Sequence, residues 1–157
     1  MPDAGDGQFA ELAPQYLAQE VLGQFRNHLN LSRPLVLAEM LPAVGQGIVA
    51  VECAARDWET RRLLALIDDP AAHACADAER EVLWVLNGHC NSPIAGFATI
   101  EGMEMSLTAS VLDEAGQLFI EASRSGPADR PRELGRTVGL ELLQKGAADI
   151  IERSRPR

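Results

Sequence analysis

Apolar side chains recur along this chain at two periods, and the switches between them mark out its elements. Between residues 9 and 31 they return every three or four positions (Phe9, Leu12, Tyr16, Leu17, Val21, Leu22, Phe25, Leu29), the spacing of an amphipathic helix. Pro14 interrupts that pattern, so the regular helix is expected over about 15–28, after a leader over 1–14 expected to be disordered. Short extended segments follow at 35–37 and 44–53. The second is β-branched and almost unbroken in its apolar character, which predicts a strand buried on both faces, as inside an α/β sheet. Gly45 and Gly47 flank Gln46, a pattern that suits a close approach of backbone to a ligand or to another strand.

From Asp57 onward the pattern is cleaner. Asp57 can cap a helix running to about 67 with Leu63, Leu64 and Ile67 inward. Asp69-Pro70 starts a second helix, expected to reach about 87, to bury Ala72, Cys75, Ala76, Val82, Leu83 and Leu86, and to stop at Gly88. Strands are then predicted over 94–100, 103–112 and 117–123. The middle one alternates Met103, Met105, Leu107, Ala109 and Val111 against Glu104, Ser106, Thr108 and Ser110, giving one covered and one wet face. A helix over about 130–145, with the stripe Leu134, Val138 and Leu142, and a short one over 147–153 complete the chain. The fold class expected is α+β: a three-stranded antiparallel sheet with helices packed on one face, preceded by a helix and strand fragment of an α/β domain. The corresponding domain limits are a leader at 1–14, a helix-plus-strand remnant at 15–54, and a C-terminal domain at 55–157.

Composition narrows the class of partner. With 157 residues and 46% hydrophobic residues the chain can bury a real core, built from aliphatic side chains because aromatics are only 4%. A net charge of -9 disfavours nucleic acid and anionic membrane as partners. No apolar run has the length of a membrane span, and the acidic start lacks the features of a secretory signal. Three cysteines at irregular spacing argue against a disulfide framework and fit a reducing cytoplasm, so a soluble cytoplasmic protein is expected.

Those cysteines differ in setting. Cys53 ends an apolar run and Cys75 lies on an apolar helix face, which suits inert packing residues. Cys90 instead stands in the small-residue run Gly88-His89-Cys90-Asn91-Ser92-Pro93, where the chain turns directly after a helix, and this suggests chemistry at sulfur. A metal site built from His73, Cys75, His89 and Cys90 is not expected: His73 and Cys75 are two apart on a helix, and no ligand-pair spacing occurs.

Several ordered motifs carry a family resemblance. They are Leu41-Pro42-Ala43-Val44-Gly45-Gln46-Gly47, Val51-Glu52-Cys53, Ala78-Glu79-Arg80, Leu86-Asn87-Gly88-His89-Cys90 with Pro93-Ile94-Ala95, and Leu142-Leu143-Gln144-Lys145-Gly146-Ala147. In order and spacing, over roughly three quarters of the chain, this set resembles the C-terminal portion of hydroxymethylbilane synthase, also called porphobilinogen deaminase. That family joins four porphobilinogen molecules into a linear tetrapyrrole on a dipyrromethane primer held by a cysteine thioether. The resemblance implies that Cys90 is the covalent attachment residue for dipyrromethane. The chemistry suits sulfur, because loss of ammonia from porphobilinogen leaves an electrophilic azafulvene to which a soft thiolate adds.

The resemblance also implies that Gln46 and Gly47 lie in the loop lining the cleft and contact a pyrrole ring; a purely structural role is the alternative. For Glu79 and Arg80 it suggests a buried ion pair that positions the helix before the cysteine. His89 departs from the pattern, standing where the family usually has glycine, so the loop backbone or the thiol environment is expected to differ. The family's catalytic aspartate and its Arg- and Lys-rich cleft belong to its first two domains, so no catalytic residue is assigned to this chain. Two readings follow. One is a hydroxymethylbilane synthase polypeptide, truncated or encoded separately, that works with an N-terminal hydroxymethylbilane synthase fragment as partner. The other is a non-catalytic stand-alone or degenerate module with the same fold.

Overall fold

The computed structural model describes residues 36–155 apart from Ala38, Cys90 and Glu114. The leader and helix expected over 1–28, Leu35 and the anchor candidate Cys90 lie outside the described residues. Residues 37–155 fall in one compact unit, and its elements run α1 (Trp58–Leu64), α2 (Pro70–Val85), β1 (Ile94–Glu101), β2 (Glu104–Leu112), β3 (Phe119–Pro127), α3 (Pro131–Gln144) and α4 (Ala147–Arg153). The sheet is an antiparallel meander in the order β1-β2-β3. Helices α2 and α3 cover one face, so the expected α+β architecture is the one observed.

Local chemistry explains the boundaries. Asp69 caps α2 by accepting the N–H groups of Ala71 and Ala72, and Pro70 sits where a missing N–H costs nothing. The β1–β2 hairpin closes at the Glu101–Glu104 pair, with Gly102 at φ 63°. Met103 is therefore at the hairpin tip, 88% exposed, and not inward as the alternation suggested. Strand β3 begins at Phe119 and not at 117, because the Asp113 carboxylate takes the N–H groups of Gln117 and Leu118 for the turn.

The core lies between the helices and the inner sheet face. Met105, Leu107, Ala109 and Val111 from β2 meet Val82 of α2 and Val138 and Leu142 of α3, none of them with any exposed surface. Helices α2 and α3 approach closely because a Cβ at Gly135 would collide with the Ala78 carbonyl, and one at Gly139 with Val85. The buried stripe of α2 includes Ala78 and Glu79, which the hydrophobic pattern did not single out, while Ala72 is exposed. Cys75 is half-buried against the core; burial pushes its thiol pKa up, and the Glu79 and Asp69 carboxylates add to that. On the sheet's outer face Ser106 pairs with Ser125 and Thr108 with Ser123, each at 2.8 Å. Glu141 bridges Arg124 and Lys145, and Lys145 also donates to the Glu121 carbonyl, fastening the end of α3 to β3.

Residues 37–67 behave otherwise. No strand forms at 36–37 or 44–53: residues 44–47 turn, and 48–54 have no ladder. The expected two-sided strand fails because no strand among the described residues flanks it, and an unpaired strand exposes its backbone polar groups for no packing gain. Val49 is 90% and Val51 60% exposed. Helix α1 is capped by Asp57, whose carboxyl the Thr60 N–H and hydroxyl hold below the usual carboxylate range. It nevertheless buries no residue, and Leu63 and Ile67, expected inward, are largely exposed. Cys53, expected in a core, is only half-buried.

Candidate functional site

Two backbone turns border β1, one leading into it and one docked on its outer edge. The first is the loop from Gly88 to Pro93 that follows α2. Asn87, at φ 50°, and Gly88 end the helix, with the Gly88 N–H returning to the Leu83 carbonyl at 2.9 Å. The His89 carbonyl then accepts the Ser92 N–H at 2.9 Å, while the His89 N–H donates to Ser92 Oγ at 2.8 Å. These two bonds tie His89 to Ser92 on either side of the sequence positions 90 and 91.

His89 adds a side-chain fastening. Its Nδ1 accepts the Asn91 N–H at 3.3 Å, which assigns the ring proton to Nε2. That Nε2 is buried without a hydrogen-bond partner. His89 therefore binds its own loop, leaving one buried ring nitrogen without a partner among the described residues.

The second turn contains Gln46 and Gly47. Gln46 N–H returns to the Ala43 carbonyl at 3.0 Å and Ile48 N–H to the Gly45 carbonyl at 3.3 Å, giving two successive reverse turns. Gly45 at φ 72° and Gly47 at φ 87° occupy the left-handed region, which supplies the physical reason for the two glycines. Gln46 Oε1 folds back onto the Ala43 N–H at 3.1 Å. The turn docks on β1 through an Ala43–Ala95 bridge, a Gly96 N–H to Pro42 carbonyl bond of 3.0 Å, and Val44 lying over Gly96. The turn that carries Gln46 and Gly47 is thus docked along the outer edge of β1, the strand that follows the 88–93 loop in sequence.

Glu79 is where sequence and structure disagree most usefully. It is buried, 4% exposed, but its expected ion pair with Arg80 does not form: Arg80 is exposed, because adjacent helix residues point in different directions. The carboxylate accepts instead from backbone, Oε2 from Gly45 N–H at 2.8 Å and Oε1 from Ala98 N–H at 2.9 Å. Ser92, with its bond to His89, was also missed; its sole signal was a hydroxyl residue before proline in a tight loop.

Beside both turns lies an open groove of about 280 Å³ whose lining includes Met40, Pro93, Ser110 and Phe119. Among the described residues its ionisable lining is Glu39 and Glu121. The donor set therefore fits an anchor loop flanked by a backbone turn, but not the retention of a polycarboxylate. Among the described residues no group of three or more His, Cys, Asp or Glu could hold a metal ion, and no helix is long and apolar enough to cross a membrane.

Comparison with known proteins gives one consistent result. Residues 73–144 match the family model described as the C-terminal domain of porphobilinogen deaminase. A porphobilinogen deaminase of Syntrophobacter fumaroxidans is 41% identical over 115 residues, which cover 73% of this chain and 37% of the relative. One of Bordetella parapertussis is 34% identical over 146 residues, 93% of this chain and 46% of the relative. Porphobilinogen deaminase 2 of Streptomyces coelicolor is 38% identical over 123 residues, 78% of this chain and 39% of the relative. The chain thus spans 37% to 46% of the length of these relatives. The resemblance read from the ordered motifs is borne out: this chain is similar to porphobilinogen deaminases in their C-terminal portion.

Proposed function

We propose that this relative of the porphobilinogen deaminases carries the primer of a hydroxymethylbilane synthase-type transferase, with dipyrromethane held as a thioether on Cys90. The observation that carries the reading is the family match over residues 73–144, which spans the whole loop containing Cys90. The two His89–Ser92 hydrogen bonds support it, since they fasten the flanks of the loop on which a covalently held chain would be carried. When bound, dipyrromethane would supply a pyrrole carbon to which porphobilinogen units can be added with release of ammonia. The chain's own part is to furnish the thiolate, hold it on a short turn, and offer the Gln46–Gly47 turn as a contact for a ring. Gln46 Oε1 is engaged with Ala43, so the backbone of this turn is the more available surface.

Anion binding must come from elsewhere. Each pyrrole unit brings two carboxylates, and among the described residues the ionisable lining of the groove beside the anchor loop is Glu39 and Glu121. We read the cation-bearing surface, and with it turnover of porphobilinogen, as supplied from outside the described residues. The exposed run Ile48-Val49-Ala50-Val51 supports this, because a β-branched apolar segment gains from pairing with strands that the described residues do not provide. The cytoplasm is the compartment that suits a free thiol of this kind.

The test is intact-mass measurement of the chain from cells that make porphobilinogen, with an acidic aldehyde colour reaction for pyrroles. A dipyrrole adduct on the wild-type chain that disappears in Cys90→Ser is the expected result. An unmodified wild-type chain with no colour would favour the non-catalytic module. An adduct that survives Cys90→Ser would move the attachment to another residue.

A further inference from the structure

The two oxygens of Glu79 tie together three parts of the fold. The side chain leaves α2, Oε1 takes the Ala98 N–H on the outer edge of β1, and Oε2 takes the Gly45 N–H inside the glycine turn. On β1 the outward N–H groups are met in succession by chain from the turn and by this acid, Gly96 by the Pro42 carbonyl and Ala98 by Glu79. The edge that would otherwise remain open is closed there. At 4% exposure the acid has little water to solvate it, so the two backbone donors supply its stabilisation.

The tie to Gly45 has a particular place in the chain. Before it, the Ala43–Ala95 bridge and the Pro42 carbonyl fasten the turn to β1. Beyond it, Ile48 N–H bonds only within the turn, and residues 48–52 are exposed. Gln46 and Gly47 therefore project immediately past the last fastening to the domain. Helix α2, which supplies that fastening, also leads directly into the Gly88–Pro93 loop.

We infer that Glu79 is a positioning residue: its carboxylate clamps the Gln46–Gly47 turn to α2 and β1, the two elements that the Gly88–Pro93 loop joins, so that the ring-contact turn is held on the same elements as the primer loop. This rests on the reading of Cys90, Gln46 and Gly47 proposed above. A neutral glutamine cannot replace the acid, since its amide offers one acceptor and presents N–H to the other backbone N–H. Because the weaker-held turn is then the part that opens, Glu79→Gln should free the turn before it disturbs the core.

The experiment compares wild type, Glu79→Gln and Val82→Ala, the last a core truncation on the same helix that lowers stability without touching the turn. Two quantities are read: amide hydrogen exchange over residues 43–48, and the fraction of chains carrying the dipyrrole adduct. Exchange at 43–48 should rise at least about tenfold in Glu79→Gln, as expected when a charge-assisted hydrogen bond is lost from a local opening equilibrium. Adduct loading should fall several-fold in the same variant, while Val82→Ala leaves both near wild type. Unchanged exchange at 43–48 in Glu79→Gln overturns the clamp. Equal loss of loading in Val82→Ala overturns the positioning role and leaves only a structural one. A wild-type chain that carries no adduct refutes the primer reading and with it the positioning role, while the exchange data still decide whether the clamp exists.

Discussion

Val82, Met105, Leu107 and Leu142 have no exposed surface, whereas Val49 is 90%, Leu66 80% and Ile67 74% exposed, although the two sets are equally apolar. The first set lies where a sheet face and two helices close on one another; the second lies on residues 37–67, where α1 and the 48–53 run border an open groove and close on no second layer among the described residues. Apolar character makes burial favourable, but burial occurs only where the chain supplies a second layer. Residues 70–153 supply it for themselves. Residues 48–67 do not, and their periodicity, clear as it is, leaves them an amphipathic helix and an extended run with uncovered faces.

That contrast can be broken by mutation. Leu142→Ala should cost the most, roughly 2–5 kcal/mol, because a fully buried side chain leaves a cavity that the α2–α3 contact cannot close. Denaturant unfolding reads this, and a loss under 1 kcal/mol would mean that the core is not close-packed. Asp69→Ala should cost about 1 kcal/mol by removing the cap that takes the Ala71 and Ala72 N–H groups. Its effect should appear as a lower midpoint with an unchanged denaturant slope. The double change Val49→Ser with Val51→Ser should move stability by no more than about 0.5 kcal/mol, the range of ordinary surface substitutions. A loss comparable to that of Leu142→Ala would show that residues 48–53 are buried in solution and would erase the distinction between the two regions.

The same division runs through what the sequence made legible. The α2 start at Asp69-Pro70, the alternation of β2 over residues 104–109 and the bounds of α4 are local signals, each decided by a few neighbouring residues, and they appear as expected; Ser110, expected on the wet face, is instead buried at 1% exposure. The strand at 44–53 was misread because β-branched composition reports a preference for a sheet, not the presence of neighbours to pair with. The Glu79 ion pair was misread for a related reason. Sequence proximity to Arg80 suggested a partner, but helix geometry turns the two apart and the tertiary fold brings Gly45 and Ala98 to the acid. Of the candidate site, the glycines at 45 and 47 were legible through their conformational freedom. The fold-back of Gln46 and the bond between His89 and Asn91 were not, because both depend on how a turn closes in space.

By itself, the sequence determined which segments are helix and strand from Asp57 onward, which face of β2 is apolar, and the similarity to the porphobilinogen deaminase C-terminal domain. These follow from short-range periodicity and from residue identity in order along the chain. Only the tertiary structure decided that a buried glutamate would clasp a glycine turn 34 residues away to the edge of β1. It also decided that an apolar run would stand uncovered. Such outcomes depend on which backbone donors and which surfaces meet across the fold, and that is settled by packing and not by any local pattern.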